Sequence, residues 1–345
     1  MAGLESAIPA HLLTTRTAPS RLKDGFIPPY PSFTARLDPT VKHVVMAYLG
    51  VQYATAEMPA SVRTALGALD KACSAPTGPR HVDRASYVDE RYFTTVITIA
   101  YWDSTDGWER WRTSAGAFWL QPQELDAGYF AEVLSPSVTR FETLFSNDRV
   151  EGAANLADGL SGEVTEHGYW GGARDRLPIA QTDTLDPVGR PVVVDHGARQ
   201  SVTPHENLCL IRSGQEWTET TGDERAMYLD DVEPVLRAGM DYLRDQGRDI
   251  GCFANRYMRV LGESGEVGDK SFGMSWWRSL EDLDRWAESH ETHKAIFGAA
   301  MKYLSTMGPA AKLRLYHEVT VASAAEQHFE YVNCHPDTGM LRTAD

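Results

Sequence analysis

The stretch AYWDSTDGWERWRTSAGAFW, residues Ala100–Trp119, decides the fold because it recurs later in the chain as SWWRSLEDLDRWAESHETHK, residues Ser275–Lys294. With residue 100 placed on residue 275, the identical pairs are Trp102 and Trp277, Ser104 and Ser279, Arg110 and Arg285, Trp111 and Trp286, and Ser114 and Ser289. An internal repeat of this kind indicates an architecture built from two related units.

Each copy of the repeat has the pattern of a strand followed by a helix. A β-rich run ends at Trp102 in the first copy and at Trp277 in the second, and an amphipathic pattern of helical period follows each run. Ser279 and Asp282 have the spacing of a capping box, which marks the start of a helix.

Two further runs extend the repeat towards the N-terminus. Val44–Tyr53 and Asn207–Trp217 have the pattern of opening strands, and helical patterns follow at Pro59–Ala72 and Glu224–Gln246. Each unit then has the order β-α-β-β-α-β, a ferredoxin-like arrangement whose helices pack on one face of an antiparallel sheet. We expect an α+β fold in which the two sheets pair into a β-barrel flanked by helices.

The same alignment continues towards the C-terminus, where RFETLF (Arg140–Phe145) falls opposite LYHEVT (Leu315–Thr320). It predicts that Glu142 lies at the pseudo-symmetric position of His317. The predicted organisation is an extended N-terminal arm (1–40), a first ferredoxin-like repeat (41–150), a second repeat (151–325) and a C-terminal segment (326–345). The arm is predicted to be extended because six prolines in its 40 residues forbid regular helix.

Composition and charge argue against several classes of protein. Hydrophobic residues make up 42% of the 345-residue chain and charged residues 23%, the ordinary balance of a folded protein. The net charge is −15 and basic residues form no run, so we expect no nucleic-acid partner. A signal pattern and a membrane span are both absent from the sequence, which predicts a cytoplasmic protein. The four scattered cysteines are expected to be free thiols.

Seven segments carry a resemblance to a known family: GPRHVDRA (78–85), FETL (141–144), HGYWGGARDRLPIAQTD (167–183), LIRSGQEW (210–217), RWAESHETHKAIF (285–297), LRLYHEV (313–319) and YVNCHPDTGML (331–341). In these the chain resembles the aldoxime dehydratases from about residue 40 to residue 342. The resemblance implies a duplicated ferredoxin-like fold, non-covalent haem b, a homodimer and lyase activity that converts aldoximes to nitriles and water.

Two histidines in the second copy of the repeat are candidate metal ligands. His290 and His293 form an HxxH pattern, which alone is a weak metal motif and equally describes two exposed helical residues. Neutral imidazole is a good ligand for haem iron. The resemblance places the axial ligand at His293, in the THxxIF position.

His317 is a candidate acid. Strand alternation puts it on the same face as Leu315 and Val319, where a hydrogen-bonded core histidine is the more common case. Imidazole also titrates near neutral pH, as an acid that turns an oxime hydroxyl into leaving water must. The resemblance implies that the substrate nitrogen binds ferrous haem while His317 protonates the hydroxyl and then helps to remove the C–H proton.

Three more residues are site candidates through the resemblance. Ser213 corresponds to a serine that hydrogen-bonds the oxime oxygen, Arg176 to an arginine that positions the substrate, and Glu142 to a residue that orients His317. From the residues alone, Ser213 is equally a turn serine, Arg176 part of a solvated charge cluster, and Glu142 a salt-bridged strand carboxylate.

Two other functions stay open at this stage. A haem peroxidase-like or chlorite-decomposing enzyme shares a related ferredoxin-like barrel and a proximal histidine, and fold analogy does not separate it from a dehydratase. A haem-binding protein without catalysis needs His293 but makes no demand on His317 or Ser213. The choice between aliphatic and arylaliphatic aldoximes also stays open.

Overall fold

A computed structural model describes residues 3–122 and 124–344 of the protein. The strands up to residue 160 are β1 (Ala35–Arg36), β2 (Val45–Tyr53), β3 (His81–Val88), β4 (Thr94–Trp102), β5 (Gly128–Leu134), β6 (Phe141–Phe145) and β7 (Gly159–Leu160). The helices in this part are α1 (Ala60–Cys73) and α2 (Thr105–Arg112).

The rest of the chain has strands β8 (Val192–His196), β9 (Arg199–Thr203), β10 (Leu208–Glu216), β11 (Cys252–Leu261), β12 (Val267–Trp277), β13 (Arg314–Ala322) and β14 (Gln327–Val332). Its helices are α3 (Gly172–Arg176), α4 (Gly222–Met227), α5 (Glu233–Gln246), α6 (Leu280–Ser289) and α7 (Glu291–Met307), and a π-helical turn, Tyr228–Val232, joins α4 to α5. Short 3₁₀ helices lie at Ala10–Leu12, Val138–Arg140, Gly152–Leu156, Pro178–Gln181, Gly247–Ile250, Gly308–Ala310, Ala324–Glu326 and Gly339–Thr343.

Two units of the predicted element order lie side by side in one sheet. The first unit (β2, α1, β3, β4, α2, β5) and the second unit (β10, α4, α5, β11, β12, α6, α7, β13) both place their strands in the order fourth, first, third, second. Strand β3 pairs with β11 and joins the units into a sheet of 12 strands. Strands β1 and β7 form a separate pair.

The expected closed barrel is wrong. The sheet ends at β6 on one side and at β8 on the other, and within the described residues these two strands do not pair. A barrel needs its end strands to meet. Here the arm covers the β6 edge through a bridge between Phe33 and Phe145, and the β8–β9 hairpin extends the opposite edge.

Each unit pairs with the strand that follows the other unit. β6 follows the first unit but pairs with β13, and β14 follows the second unit but pairs with β5. The prediction that Glu142 is the pseudo-symmetric mate of His317 is therefore wrong. The residue that matches Glu142 is His328 of β14, since Glu142 faces Val319 and His328 faces Val133. These two valines occupy the same register position in their units when Trp277 is placed on Trp102. The alignment shifts because α7 inserts an extra helix before β13.

Both faces of the sheet are buried. One face forms a central core that is shared by the two units, with Met46, Tyr48, Ile97, Met274 and Trp276 among its members. On the other face the helices pack: α1 and α2 cover the first unit, and α5 and α6 cover the second. Among the described helices, none is both long and apolar enough to cross a membrane.

The predicted helix start at Ser279 is confirmed. Its side-chain oxygen accepts a hydrogen bond from the backbone N–H of Asp282 at 3.1 Å, and its hydroxyl donates to the Asp282 carboxylate at 2.8 Å. Ser104 caps α2 in the same way, through the N–H of Gly107. The repeated serine is thus the N-cap of a helix in both copies of the repeat.

Removing this cap is expected to destabilise the fold modestly. Ser279→Ala leaves an N–H of the first turn of α6 without its partner, so we expect the free energy of unfolding to fall by about 1 kcal/mol. Urea denaturation followed by circular dichroism measures this change. Ser305→Ala, at an exposed site in α7, is the matched control and is expected to stay within about 0.5 kcal/mol of the wild type. Equal midpoints for the two variants would contradict the prediction.

Candidate functional site

Three side chains from separate elements meet at one point on the helix-covered face of the second unit. Arg176, at the end of α3, donates from Nε to Glu142 Oε2 at 2.7 Å and from Nη2 to Oε1 at 3.1 Å. The same Nη2 lies 2.8 Å from His317 Nε2, which in turn lies 3.1 Å from Glu142 Oε1. The structure therefore brings three of the predicted site residues into direct contact.

The ion pair in this cluster is buried, and the histidine is not. The side chains of Arg176 and Glu142 are 3% and 2% exposed, whereas that of His317 is 24% exposed. Burial opposes the ionised form of Glu142, but the charges of Arg176 and His317 outweigh it and hold the pKa of Glu142 below its ordinary value. A fixed carboxylate and a fixed guanidinium thus hold an imidazole that remains accessible.

Ser213 lies directly beside His317. It sits in the middle of β10, not in a turn, and its Cα partners in the neighbouring strands are His317 of β13 and Gly273 of β12. Side chains at directly opposite positions of adjacent strands lie on one face, with Cβ atoms about 5 Å apart. The hydroxyl and the imidazole are therefore presented on the same side of the sheet.

His293 lies on α7, apart from this cluster. Its Nδ1 donates to the backbone carbonyl of Ala287 at 2.8 Å, which leaves the lone pair of Nε2 available. Burial lowers the pKa of His293 to about 4, so the ring is neutral at pH 7. A neutral imidazole whose other nitrogen is bound to a carbonyl is the usual form of a metal-ligating histidine.

Aromatic rings surround this imidazole. Its ring centre lies 4.6 Å from that of Trp286 and 5.5 Å from that of Trp170, and Trp170 also contacts Phe297 at 5.0 Å. Of the described side chains on α7, only Tyr303 is buried, and Phe297 is 40% exposed. An apolar, partly exposed helix face with one neutral imidazole fits a porphyrin bound through a single axial ligand.

His290 has a structural role, which distinguishes it from His293. It is the N-cap of α7, where its Nδ1 accepts a hydrogen bond from the backbone N–H of Thr292 at 3.3 Å, and its ring packs against Tyr242 with centres 4.3 Å apart. The HxxH pattern therefore combines one capping residue with one candidate ligand.

One short segment links the two parts of the site. Within HGYWGGARDR (167–176), Trp170 contacts His293, and Arg176 contacts His317. Both histidines thus lie next to this segment, although no described contact joins His293 to the cluster of Arg176, Glu142 and His317, called the acid cluster below. This arrangement connects all five predicted site residues.

The sequence analysis missed His167 and Tyr30. His167 is buried, its ring centre lies 5.2 Å from that of Tyr30, and burial together with the charge of Arg176 lowers its pKa to about 4. Tyr30 belongs to the arm, and burial raises its pKa although Arg176 opposes the shift. His167 could have been predicted as a site residue because it lies in the same sequence segment as Arg176. No sequence pattern predicts that Tyr30 lies near this site.

Known proteins resemble this chain over nearly its whole length. The model of the haem-containing dehydratase family matches residues 47–340. An aliphatic aldoxime dehydratase from Rhodococcus globerulus is 41% identical over 350 residues, covering 99% of this chain and 98% of that protein. A phenylacetaldoxime dehydratase from Bacillus sp. (strain OxB-1) is 34% identical, with 90% of each chain covered.

The fold of a solved relative matches as well. A crystal structure of an aldoxime dehydratase in complex with butyraldoxime superposes with a TM-score of 0.94 at 40% identity, covering 99% of this chain and 97% of that chain. Similarity of this degree spans the whole fold, including the segments that carry His293, His317, Ser213, Arg176 and Glu142. The chain therefore belongs to the haem-containing dehydratase family.

Proposed function

We propose that this protein is an aldoxime dehydratase, which converts R–CH=N–OH to R–C≡N and water. The observation that carries the proposal is the accessible imidazole of His317, held by the buried Arg176–Glu142 pair next to Ser213. The reaction breaks the N–O and C–H bonds, so it needs one group that first gives a proton and then takes one. A single imidazole can perform both steps.

Haem b is the cofactor that the family implies, and His293 is the residue that would hold it as axial ligand. When bound in its ferrous form, haem would supply an electron-rich metal centre that favours the oxime nitrogen and weakens the N–O bond. Trp170, Trp286 and Phe297 would exclude water around the ligand.

From the geometry of the cluster we infer a separate role for each nitrogen of His317. Nε2 is directed at Glu142 and Arg176, so Nδ1 is left for the substrate. In the charged form, Nε2–H donates to the Glu142 carboxylate, and Nδ1–H passes its proton to the oxime hydroxyl, which leaves as water. The neutral ring then accepts the C–H proton at Nδ1 and returns to its starting state. Ser213 would hold the oxime oxygen, and Arg176 would keep Glu142 ionised.

Neutralising Glu142 is expected to slow this proton transfer. Glu142→Gln keeps the shape of the side chain but removes the charge that stabilises the imidazolium, so we expect kcat to fall about 100-fold while haem content stays unchanged. Nitrile formation and haem content are both measured. Glu330→Gln is the matched control, because Glu330 is also a strand carboxylate paired with an arginine and a histidine, Arg199 and His328, but lies on β14 away from the cluster; it is expected to match the wild type. A wild-type kcat in Glu142→Gln would remove this carboxylate from the mechanism.

The function itself is tested by product analysis. The protein is reconstituted with haem b, reduced with dithionite under nitrogen and given butyraldoxime or phenylacetaldoxime, and nitrile is quantified by chromatography. Nitrile from the reduced protein, and none from the oxidised protein, is the expected result, and the ratio of the two rates defines the substrate preference. Oxidation of guaiacol by peroxide without any nitrile would favour the peroxidase-like alternative.

The proposal also includes a duplicated ferredoxin-like fold, assembly of the chain into a homodimer and a cytoplasmic location of the protein. The common strand order of the two units supports a duplicated ferredoxin-like fold. The homodimer, the domain boundaries and the cytoplasmic location stay predictions. Size-exclusion chromatography with light scattering measures the assembly, with one mass of twice the chain expected.

A further inference from the structure

We propose that Asp175 is a positioning residue through which the N-terminal arm holds Arg176 against Glu142 and His317. The arm, predicted above only as an extended segment, thereby becomes part of the working site. This inference rests on the proposed function, because it assigns Arg176 a part in that reaction.

The carboxylate of Asp175 is the point at which the arm is bound. It is 2% exposed, and its Oδ2 accepts hydrogen bonds from the backbone N–H groups of Arg21 and Leu22, both at 3.0 Å, and from the hydroxyl of Tyr169 at 2.9 Å. The guanidinium of Arg16 lies 3.6 Å from Oδ1. Three donors on one buried carboxylate oxygen fix its place, since hydrogen bonds to a charged group are among the stronger ones in proteins.

The segment before Arg176 is shaped to accept the arm. Gly168 and Gly171 have positive φ angles of 78° and 83°, which strongly favour glycine. A Cβ at Gly168 would lie 2.6 Å from Cδ of Pro29, and one at Gly171 would lie 2.8 Å from Cγ of Arg21. The arm therefore packs directly on the backbone of this segment, at a distance that side chains would prevent.

Few other contacts hold Arg176 in place. Helix α3 has only five residues, and no side chain caps its N-terminus. Outside the acid cluster, Arg176 donates from Nη1 to the carbonyl of Glu166 at 2.7 Å. Because Asp175 immediately precedes Arg176, a shift of the Asp175 carboxylate moves the backbone of Arg176 directly. The distance between Nη2 and His317 then increases.

The test uses the full-length protein with haem bound. Asp175→Ala removes the acceptor, and Asp175→Asn keeps an oxygen in its place. Asp89→Ala is the matched control, because Asp89 also accepts two backbone N–H groups, from Arg91 and Phe93, but lies in a turn after β3. Nitrile turnover is measured for each, together with haem content, and Asp175→Ala is also made in an Arg176→Ala background.

We expect Asp175→Ala to lower kcat about 100-fold with haem content unchanged, since small displacements of a positioning group cost this much. Asp175→Asn is expected to retain most of the activity, and Asp89→Ala all of it. In the Arg176→Ala background, Asp175→Ala should cause no further loss, because both act through one group. The proposal would be overturned if Asp175→Ala lowered kcat no more than Asp89→Ala does. It would also be overturned if Asp175→Ala lowered kcat by the same factor in the Arg176→Ala background as in the wild type.

A second readout separates this proposal from the proposed function. The C–O stretching frequency of carbon monoxide on the reduced protein responds to nearby charge and needs no turnover. Asp175→Ala should move it in the same direction as Arg176→Ala, and Asp89→Ala should not move it. If the wild type forms no nitrile, the proposed function fails, whereas the positioning of Arg176 is still decided by this shift. An unchanged frequency in Asp175→Ala would refute it.

Discussion

His317→Ala is expected to lower kcat for nitrile formation by about 100- to 10,000-fold, the usual contribution of a positioned acid or base. The variant removes the only accessible member of the cluster with Glu142 and Arg176, while the buried ion pair remains. Haem content is expected to equal that of the wild type, because His293 lies on a different element. Anaerobic single-turnover assays with butyraldoxime measure the chemical step.

The matched control for this variant is His328→Ala. His328 lies on β14, where its Nε2 pairs with Glu330 and its side chain is 52% exposed, and we expect it to turn over like the wild type. If His317→Ala and His328→Ala gave equal rates, the acid would have to be another group, and His167 beside Arg176 would be the next candidate.

The second large effect is expected for His293→Ala, which should purify without its haem absorption band. The substitution removes the neutral imidazole that Ala287 orients, and among the described ring contacts of Trp170 and Trp286 the only imidazole is that of His293. Haem-to-protein ratio and the absorption spectrum measure the loss, and circular dichroism checks that the chain is folded. Added imidazole is expected to restore part of the haem binding.

His290→Ala is the control for this experiment. It removes the N-cap of α7 and so is expected to cost about 1 kcal/mol of stability, while haem stays bound. The two variants thus separate the ligand from the cap within one HxxH pattern. Stoichiometric haem with an unchanged spectrum in His293→Ala would disprove the assignment.

The repeat predicted the local elements well, because hydrophobic period and capping serines act over a few residues. Trp102, Trp277 and the cap at Ser279 occupy the expected places. Barrel closure and the mate of Glu142 were wrong for one reason: both depend on strand pairing at long range. The alignment contained no sign that α7 shifts the register or that the strands after each unit are exchanged.

The site was predicted unevenly for similar reasons. Alternation correctly put His317 on the face that it shares with Val319, and the family resemblance supplied the other candidates. The contact between Arg176 and Glu142 joins a short helix to a strand that is distant in sequence, so hydrophobic periodicity does not predict it. The attachment of the arm to Asp175 depends on backbone donors, which every residue except proline carries, so sequence pattern cannot reveal it.

The exchange of strands creates two equivalent joints in the molecule, of which only one carries the acid cluster. At the joint of β6 with β13, Glu142 faces Val319, and His317 lies two residues before that valine, next to Ser213. At the joint of β14 with β5, His328 faces Val133, and Ala131 and Leu49 occupy the places of His317 and Ser213. Because the two joints differ in these side chains, the joint of β6 with β13 presents a histidine beside a buried ion pair, whereas the joint of β14 with β5 contributes strand pairing to the sheet.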